Sequence, residues 1–378
     1  MNVLRAIGGW VVLILAAFAF LVEVLGSLPA PTLPLLAFAV AVPEVASRAL
    51  VISMVLLVAV ALATRGRMRV VGTVCAAIAC ALAFVPLVEY PQARAAARAE
   101  LAPLEVGLPV AHAPIGRESD VRVTYALPVR TRDGTMLALD LYRSTIPGPR
   151  PTVVTIYGGA WIFGKRSDNA RIDRALAARG YTAISIDYRH APTYRFPVEL
   201  HDVEDALAAI VKHANAWDVD ADRVAIFGRS AGAELALLAA YAPEPVRVRA
   251  VVAYYAPTDL VDGYRVVPNP DPADVRRILL AYLGTAPKGA MAAYRAASPV
   301  THVRAGLPPT YLIIGLRDAL VRPEQQRELR DALRARGDTV VAIELPWSNH
   351  AFDTLPGGLG GTLATQTTDR FLRATLER

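Results

Sequence analysis

The stretch that most constrains this chain runs from Arg223 to Leu238. Val224-Ala225-Ile226-Phe227 reads as a short apolar strand, and Ala231 to Ala240 as an Ala/Leu-rich helix. Gly228-Arg229-Ser230-Ala231-Gly232 joins them in a sharp turn with a serine at its apex. A serine on such an elbow is held clear of both elements, its oxygen exposed at the C-terminal edge of a sheet. The helix behind it points free N–H groups and the positive end of its dipole at the same place. The plainer alternative is an ordinary strand-to-helix turn with an N-capping serine. What else the chain brings to that sheet edge decides between them.

After about residue 118 the chain settles into short strands alternating with amphipathic helices. Val121 to Val129 and Met136 to Tyr142, separated by Arg132-Asp133-Gly134, read as an antiparallel hairpin. Apolar strands follow at Thr152 to Tyr157, Thr182 to Asp187, Val224 to Phe227, Val248 to Tyr255, Thr310 to Gly315 and Val340 to Leu345. Helical patterns separate them at Asn169 to Arg179, Pro197 to Ala214, Ala231 to Ala240 and Pro323 to Arg336, and Gly361 to Leu376 closes the chain. This alternation predicts an α/β domain whose mostly parallel sheet is covered on both faces. Its site is expected at the strands' C-terminal ends.

That order allows the partners of Ser230 to be sought by position. A serine hydroxyl is a poor nucleophile until a neighbouring imidazole takes its proton. Only His302 and His350 follow Ser230 in the chain, and only His350 stands just beyond a strand, at the productive edge. The acid that orients it should also follow a strand: Asp318 fits, Asp259 is the runner-up, and Asp338 leads into a strand and so belongs at the opposite edge. Donors for the negative oxygen of the reaction are expected from Gly158 or Gly159, in Tyr157-Gly158-Gly159-Ala160-Trp161, together with the N–H of Ala231. From Leu260 to Ala297 the strand-helix rhythm lapses, and an excursion springing from a strand's C-terminal end reads as a cap over the site. Trp161, Tyr254, Tyr255 and Tyr264 are then candidates for the lining of an apolar pocket.

The N-terminus is of another kind. With 54% hydrophobic residues the chain is rich for a wholly soluble protein, and the excess lies in three runs, Ile7 to Val24, Ala49 to Ala63 and Val70 to Val88. Each nears the roughly 20 residues that cross a bilayer. Leu28 to Pro43 is apolar but broken by four prolines, so it reads as an interfacial or re-entrant piece, with a fourth span as the alternative. Arg65, Arg67 and Arg69 form the densest basic loop among the spans, which places that loop in the cytoplasm and everything after residue 90 outside. The expected organisation is a transmembrane region over 1–90, a linker over 91–118, and an α/β domain over 119–378 with its cap at about 260–297. In the linker, Gln92 to Leu101 reads as a spacer or a helix lying on the membrane surface.

The net charge of +6 comes from scattered arginines with no basic block interleaved with aromatics, which argues against a nucleic-acid partner. Cys75 and Cys80 lie inside the third apolar run, where they act as small apolar residues. They have no metal-ligand spacing with histidines, so neither metal nor organic cofactor is expected.

Together these motifs resemble the α/β-hydrolase carboxylesterases of the hormone-sensitive-lipase-like and bacterial feruloyl-esterase-like group, over about residues 120 to 375. The resemblance is carried by the Tyr157 to Trp161 turn, Asp187-Tyr188-Arg189-His190-Ala191-Pro192, Phe196-Pro197 followed by Asp202, the Ser230 elbow, Gly315 to Asp318, and His350-Ala351-Phe352. It is similar throughout to actinobacterial esterases that carry membrane helices ahead of the hydrolase domain. The resemblance implies a Ser230–Asp318–His350 triad acting on an ester substrate, in the chain order of that fold, with His190 and Asp202 holding loops. Two positions depart from the group: Tyr157 stands where a histidine is usual, and Ala233 where a glycine often follows the elbow. The leading expectation is a multi-pass membrane-anchored serine ester hydrolase with an extracytoplasmic domain and acyl-lipid or cell-envelope ester substrates. A peptidase or amidase on the same triad, or a catalytically silent scaffold at the membrane, are the alternatives.

Overall fold

In the computed structural model, which describes residues 2–104, 118–145, 148–242 and 246–377, the chain opens with helices α1 (Asn2–Ser27), α2 (Leu33–Glu44), α3 (Ala46–Ala63) and α4 (Gly66–Leu101). Among the described residues, three stretches are long and apolar enough to cross a membrane: Ile7–Ser27, Ala46–Ala63 and Gly66–Leu104. Small residues let these helices approach: Ala16 and Ala76 form a buried seam around Val60, and Gly72 sits against Val60. Helix α2 has 12 residues, or about 18 Å at 1.5 Å per residue, too short for the fourth span.

The rest is one eight-stranded sheet. Its strands are β1 (Arg122–Arg130), β2 (Met136–Arg143), β3 (Arg150–Ile156), β4 (Thr182–Ile186), β5 (Val219–Arg229), β6 (Ala250–Tyr254), β7 (Thr310–Gly315) and β8 (Val340–Leu345). They are ordered β1-β2-β4-β3-β5-β6-β7-β8. β2 is antiparallel to both β1 and β4, and every pair from β4 through β8 is parallel. Parallel strands need crossovers that return over a face, which is why β4, β6 and β7 are buried along their whole length. Helices α6 (Val198–Lys212), α7 (Ala231–Tyr241) and α11 (Pro323–Ala335) cover one face through Val203, Leu235, Leu329 and Leu333. Helices α5 (Ala170–Ala178) and α12 (Leu359–Leu376) cover the other through Leu176, Leu363 and Phe371. Between β6 and β7 the excursion holds α8 (Leu260–Arg265), α9 (Val275–Leu283) and α10 (Pro287–Ala296).

One part of the organisation differs from the sequence expectation. Gln92 to Leu101 is no spacer but the end of α4, and Ala93, Ala97 and Leu101 are buried in the second face of the sheet domain with Trp347 and Phe371. These three lie one turn apart on a single stripe, whereas Arg94 and Arg98 point to solvent. An Ala/Arg composition hides such a stripe, because alanine is weakly hydrophobic yet lets a helix lie close against its neighbour. Residues 105–117 of the expected linker lie outside those described.

Leu101→Ala is therefore expected to destabilise the full chain by about 3 kcal/mol. Phe84→Ala, at an exposed position in the apolar part of the same helix, is expected to leave the thermal midpoint in detergent unchanged. Equal midpoints for the two variants would show that the end of α4 is not part of the core.

Candidate active site

The site is assembled at the C-terminal ends of β3, β5, β7 and β8. At the end of β5, Ser230 is held at φ 53° and ψ −123°, a conformation an L-residue adopts only when its surroundings impose it. The imposing contact is close packing. A Cβ built at Gly232 would meet the carbonyls of Tyr157 and Ile156 at the end of β3, so only glycine lets α7 start so near that strand. The Ser230 N–H donates to the Tyr254 carbonyl at 2.9 Å. Ala231 opens α7, so its N–H has no acceptor within the helix.

After β8, the loop Trp347–Asp353 brings His350 over the elbow. His350 Nε2 is 2.9 Å from Ser230 Oγ, and its Nδ1 is 2.8 Å from Asp318 Oδ2. The other Asp318 oxygen accepts the N–H groups of Leu320 and Val321, each at 2.8 Å. Asn349 Oδ1 accepts the N–H of Ala319 at 3.0 Å and of His350 at 2.7 Å, which ties the acid loop to the histidine loop. Asp318 is fully buried at its side chain, so its charge acts on the imidazole with little screening by water. The runner-up acid, Asp259, is elsewhere: it is the N-cap of α8, accepting from the N–H groups of Val261 and Asp262 at 2.8 and 3.0 Å. His302 is bonded to the Ala296 carbonyl, away from the elbow.

The glycine turn after β3 passes beside the serine. A Cβ at Gly158 would stand 3.0 Å from Ser230 Cβ, and Gly159 has φ +136° with the Phe163 carbonyl where a side chain would begin. The Gly159 carbonyl accepts from Ile162 and Phe163 at 2.9 and 3.1 Å, which folds the turn back on itself. Beneath it, Trp161 stacks on Tyr282 at 4.2 Å and donates its indole N–H to Glu234 Oε2 at 3.0 Å. Burial holds the Glu234 carboxyl well above the usual carboxylate range, and its bond to the indole braces this turn. Tyr157 uses its phenol for structure, with its oxygen 2.9 Å from His190 Nε2 and donating to the Tyr188 carbonyl at 3.2 Å, while its ring stacks on Tyr188. Asp202 accepts from the Arg189 backbone and guanidinium.

An apolar cavity of about 70 Å³ opens beside Ser230 and His350. Trp161, Leu260, Val275, Ile278 and Leu279 wall it, so α8 and α9 of the excursion form its cover. The expected aromatic lining is corrected here. Tyr254 points to the opposite face of the sheet, against Phe227 and Phe352, with its hydroxyl bonded to Thr368, because side chains alternate along β6 and Ala253 takes the cavity side. Tyr255 supports His350 from below, ring to ring at 4.6 Å, and Tyr264 packs edge-on against Tyr294 outside the cavity. Tyr255 belongs to a network that sequence alone did not reveal. Its hydroxyl donates to Asp353 Oδ1 at 2.6 Å and accepts from Arg229 Nε at 3.0 Å, while Arg229 and Asp353 form an ion pair at 3.0 Å. Arg229 on the elbow is thereby clamped to the His350 loop. The available signal was a charged residue inside a buried elbow, which requires a partner.

Chemically, the set provides a hydroxyl hydrogen-bonded to an imidazole, a carboxylate holding the imidazole's other nitrogen, and backbone donors beside both: the parts of acyl transfer.

Comparison with known proteins points the same way. The model of the BD-FAE family matches residues 139–333. The chain is 35% identical to the probable carboxylic ester hydrolase LipM of Mycobacterium tuberculosis over 57% of its own length and 53% of that protein. It is 32% identical to esterase LipC of the same organism, over 57% and 56%. It thus spans about half the length of these curated relatives. Among solved structures, a bacterial heroin esterase superposes with a TM-score of 0.62 at 23% identity, covering 76% of this chain and 92% of that one. The Pyrobaculum calidifontis esterase superposes with 0.59 at 23%, covering 77% and 94%. At such identities these two likenesses show a shared fold, that of the α/β-hydrolases.

Two outcomes are expected. Asp318→Asn should slow fluorophosphonate labelling of Ser230 by at least about a hundredfold, because it removes the group that holds the imidazole's tautomer. Asp259→Asn should leave labelling intact and cost at most about 1 kcal/mol of stability as a cap change; the reverse ranking would make Asp259 the acid. Glu199, fully buried with neither carboxyl oxygen bonded among the described residues, is pushed up to about 7 by burial. Its folded value lies above its unfolded one, so its contribution to stability is full in acid and lost as pH rises through about 7. Glu199→Gln should flatten the fall of thermal midpoint across that window, and an unchanged slope would refute the assignment.

Proposed function

The chain belongs to the BD-FAE family, and from that premise we propose that it is a membrane-anchored serine hydrolase cleaving carboxylic esters through an acyl-enzyme on Ser230. The observation that carries this reading is the unbroken hydrogen-bonded line from Asp318 through His350 to Ser230. His350 takes the Ser230 proton as Oγ attacks the ester carbonyl, and Asp318 orients the imidazole and stabilises its charged form. The N–H groups of Ala231 and of Gly158 or Gly159 receive the developing oxyanion. His350 then protonates the leaving alcohol. Water, deprotonated by the same imidazole, releases the acid. That the named activities of the curated relatives are ester hydrolysis supports this chemistry.

The membrane helices supply location. Val70 to Val88 of α4 is 19 residues, near the bilayer's hydrocarbon thickness at about 1.5 Å each, which puts Arg65, Arg67 and Arg69 and the hydrolase domain at opposite ends of the membrane part. With the basic loop in the cytoplasm the hydrolase domain is extracytoplasmic, facing lipid or cell-envelope esters. The transmembrane part ends near residue 90, and residues 119–378 make the hydrolase domain, with the excursion over 260–297 as its cap. A cavity of about 70 Å³ is small beside the roughly 150 Å³ that holds benzene. The acyl group is therefore short, with the bulk of the substrate on the alcohol side.

In p-nitrophenyl ester assays of the full chain, kcat/KM should be highest from acetyl to butyryl and at least about tenfold lower at octanoyl, the cost of overfilling a small pocket. Ile278→Ala should move the optimum to longer chains, and Ser230→Ala should abolish turnover. A folded wild-type protein that hydrolyses no ester of any length and takes no fluorophosphonate label would overturn the hydrolase reading. A profile rising with chain length would overturn the short-acyl assignment alone.

A further inference from the structure

Helix α2 touches both loops that hold the Ser230 partners. Its Leu36 and Ala39 cluster with Ala319 and Leu320, immediately after Asp318. Its last residue, Glu44, is only 2% exposed and reaches the His350 loop: Ser348 Oγ donates to Glu44 Oε1 at 2.6 Å, and the Gly360 N–H, near the start of α12, donates to Oε2 at 2.5 Å. The pocket for this carboxylate is close-fitting. A Cβ at Gly358 would stand 2.9 Å from Glu44 Oε2, and one at Gly360 2.8 Å from Oε1. Ser348 in turn accepts the Arg317 N–H on its carbonyl at 3.0 Å, and the next residue is Asn349, which joins the acid and histidine loops. A contiguous set of bonds therefore runs from the end of a helix in the N-terminal region to the residues on either side of the Asp318–His350 pair. An apolar residue would anchor α2 with less desolvation, because a buried carboxylate is costly unless its hydrogen bonds are met. The choice of glutamate points to the bonds it makes.

We infer that α2 is a working part of the catalytic unit and that Glu44, acting through Ser348, is a positioning residue for His350. The inference rests on the ester-hydrolase reading and extends it: the N-terminal helices complete the geometry of the base as well as placing the domain. No residue of α2 lines the acyl cavity. A loosened His350 loop thus acts first on proton transfer, through the one cavity residue that also carries the proton.

The test uses the full chain in detergent or nanodiscs, with p-nitrophenyl acetate as substrate and Glu44→Ala, Ser348→Ala and the double variant. Each single change is expected to lower kcat about tenfold, since small misplacements of a catalytic group cost rates of that order, with KM within about twofold. Labelling of Ser230 by a fluorophosphonate should slow in parallel. The double variant should be no slower than the slower single, because two residues acting through one bond are not additive. Ser348→Ala removes only a hydroxyl and decides the matter if Glu44→Ala fails to fold. Full kcat in Ser348→Ala, or losses that multiply in the double variant, would overturn the inference. An unlabelled, inactive wild type would instead overturn the ester-hydrolase reading, whereas a labelled, active wild type with unaltered variants would overturn this inference alone.

Discussion

The structure depends on one close approach, that of α7 to the end of β3. Gly232 lies against the Ile156 and Tyr157 carbonyls with no room for a methyl group, and that contact forces Ser230 into its positive-φ conformation. With the elbow so tight, Oγ stands free of the sheet, the first N–H of α7 opens beside it, and the glycine turn after β3 is brought within a side chain's reach of it. A looser turn would lose all three together. The strain, of order 1–3 kcal/mol for such a residue, is borne by a sheet whose strands β6 and β7 are buried along their whole length and by a helix every residue of which is buried.

Around the elbow the remaining parts are tied in pairs rather than placed singly. Arg229 is clamped to Asp353, Asn349 joins the acid loop to the histidine loop, and Glu234 braces the Trp161 turn from below. The two ends of the molecule are joined the same way. Leu101, at the end of a helix that begins at Gly66, is buried in the core of the sheet domain, and Glu44 is bonded to Ser348 and Gly360. The N-terminal helices and the sheet domain thus share a core and a hydrogen-bond network.

Much of this was legible in the residues. The eight strands and five of the helices around them follow from apolar periodicity, and their ends fall close to where pattern changes because glycine, proline and charge mark them. The triad candidates followed from order alone: in a parallel sheet every strand's C-terminal end lies at one edge, so Asp318 and His350, each just past a strand, had to arrive at the edge where Ser230 stands. The pocket was harder. Tyr254 and Tyr255 are aromatic and next to the site in sequence, yet both pack into the core on the far face, Tyr254 because the pleat of β6 turns it away from the cavity and Tyr255 because the chain leaves the strand there at a positive φ and lays its ring beneath the imidazole. The aliphatic wall from α8 and α9 has no such local mark. The end of α4 was missed for a related reason: alanine's value in packing lies in its smallness, which composition reads as neutral.

What the sequence determined by itself is whatever local rules decide: the apolar lengths that suit a bilayer, the alternation that makes a doubly covered parallel sheet, and the small residues that permit an elbow. Tertiary structure alone decided which of Asp318 and Asp259 meets the histidine, which side chains line the cavity, and that Glu44 reaches Ser348. Those are contacts between residues from 32 to more than 300 positions apart. They depend on the twist and register of the assembled sheet, and no local spacing encodes such distances, because each is a small difference between the positions of whole elements.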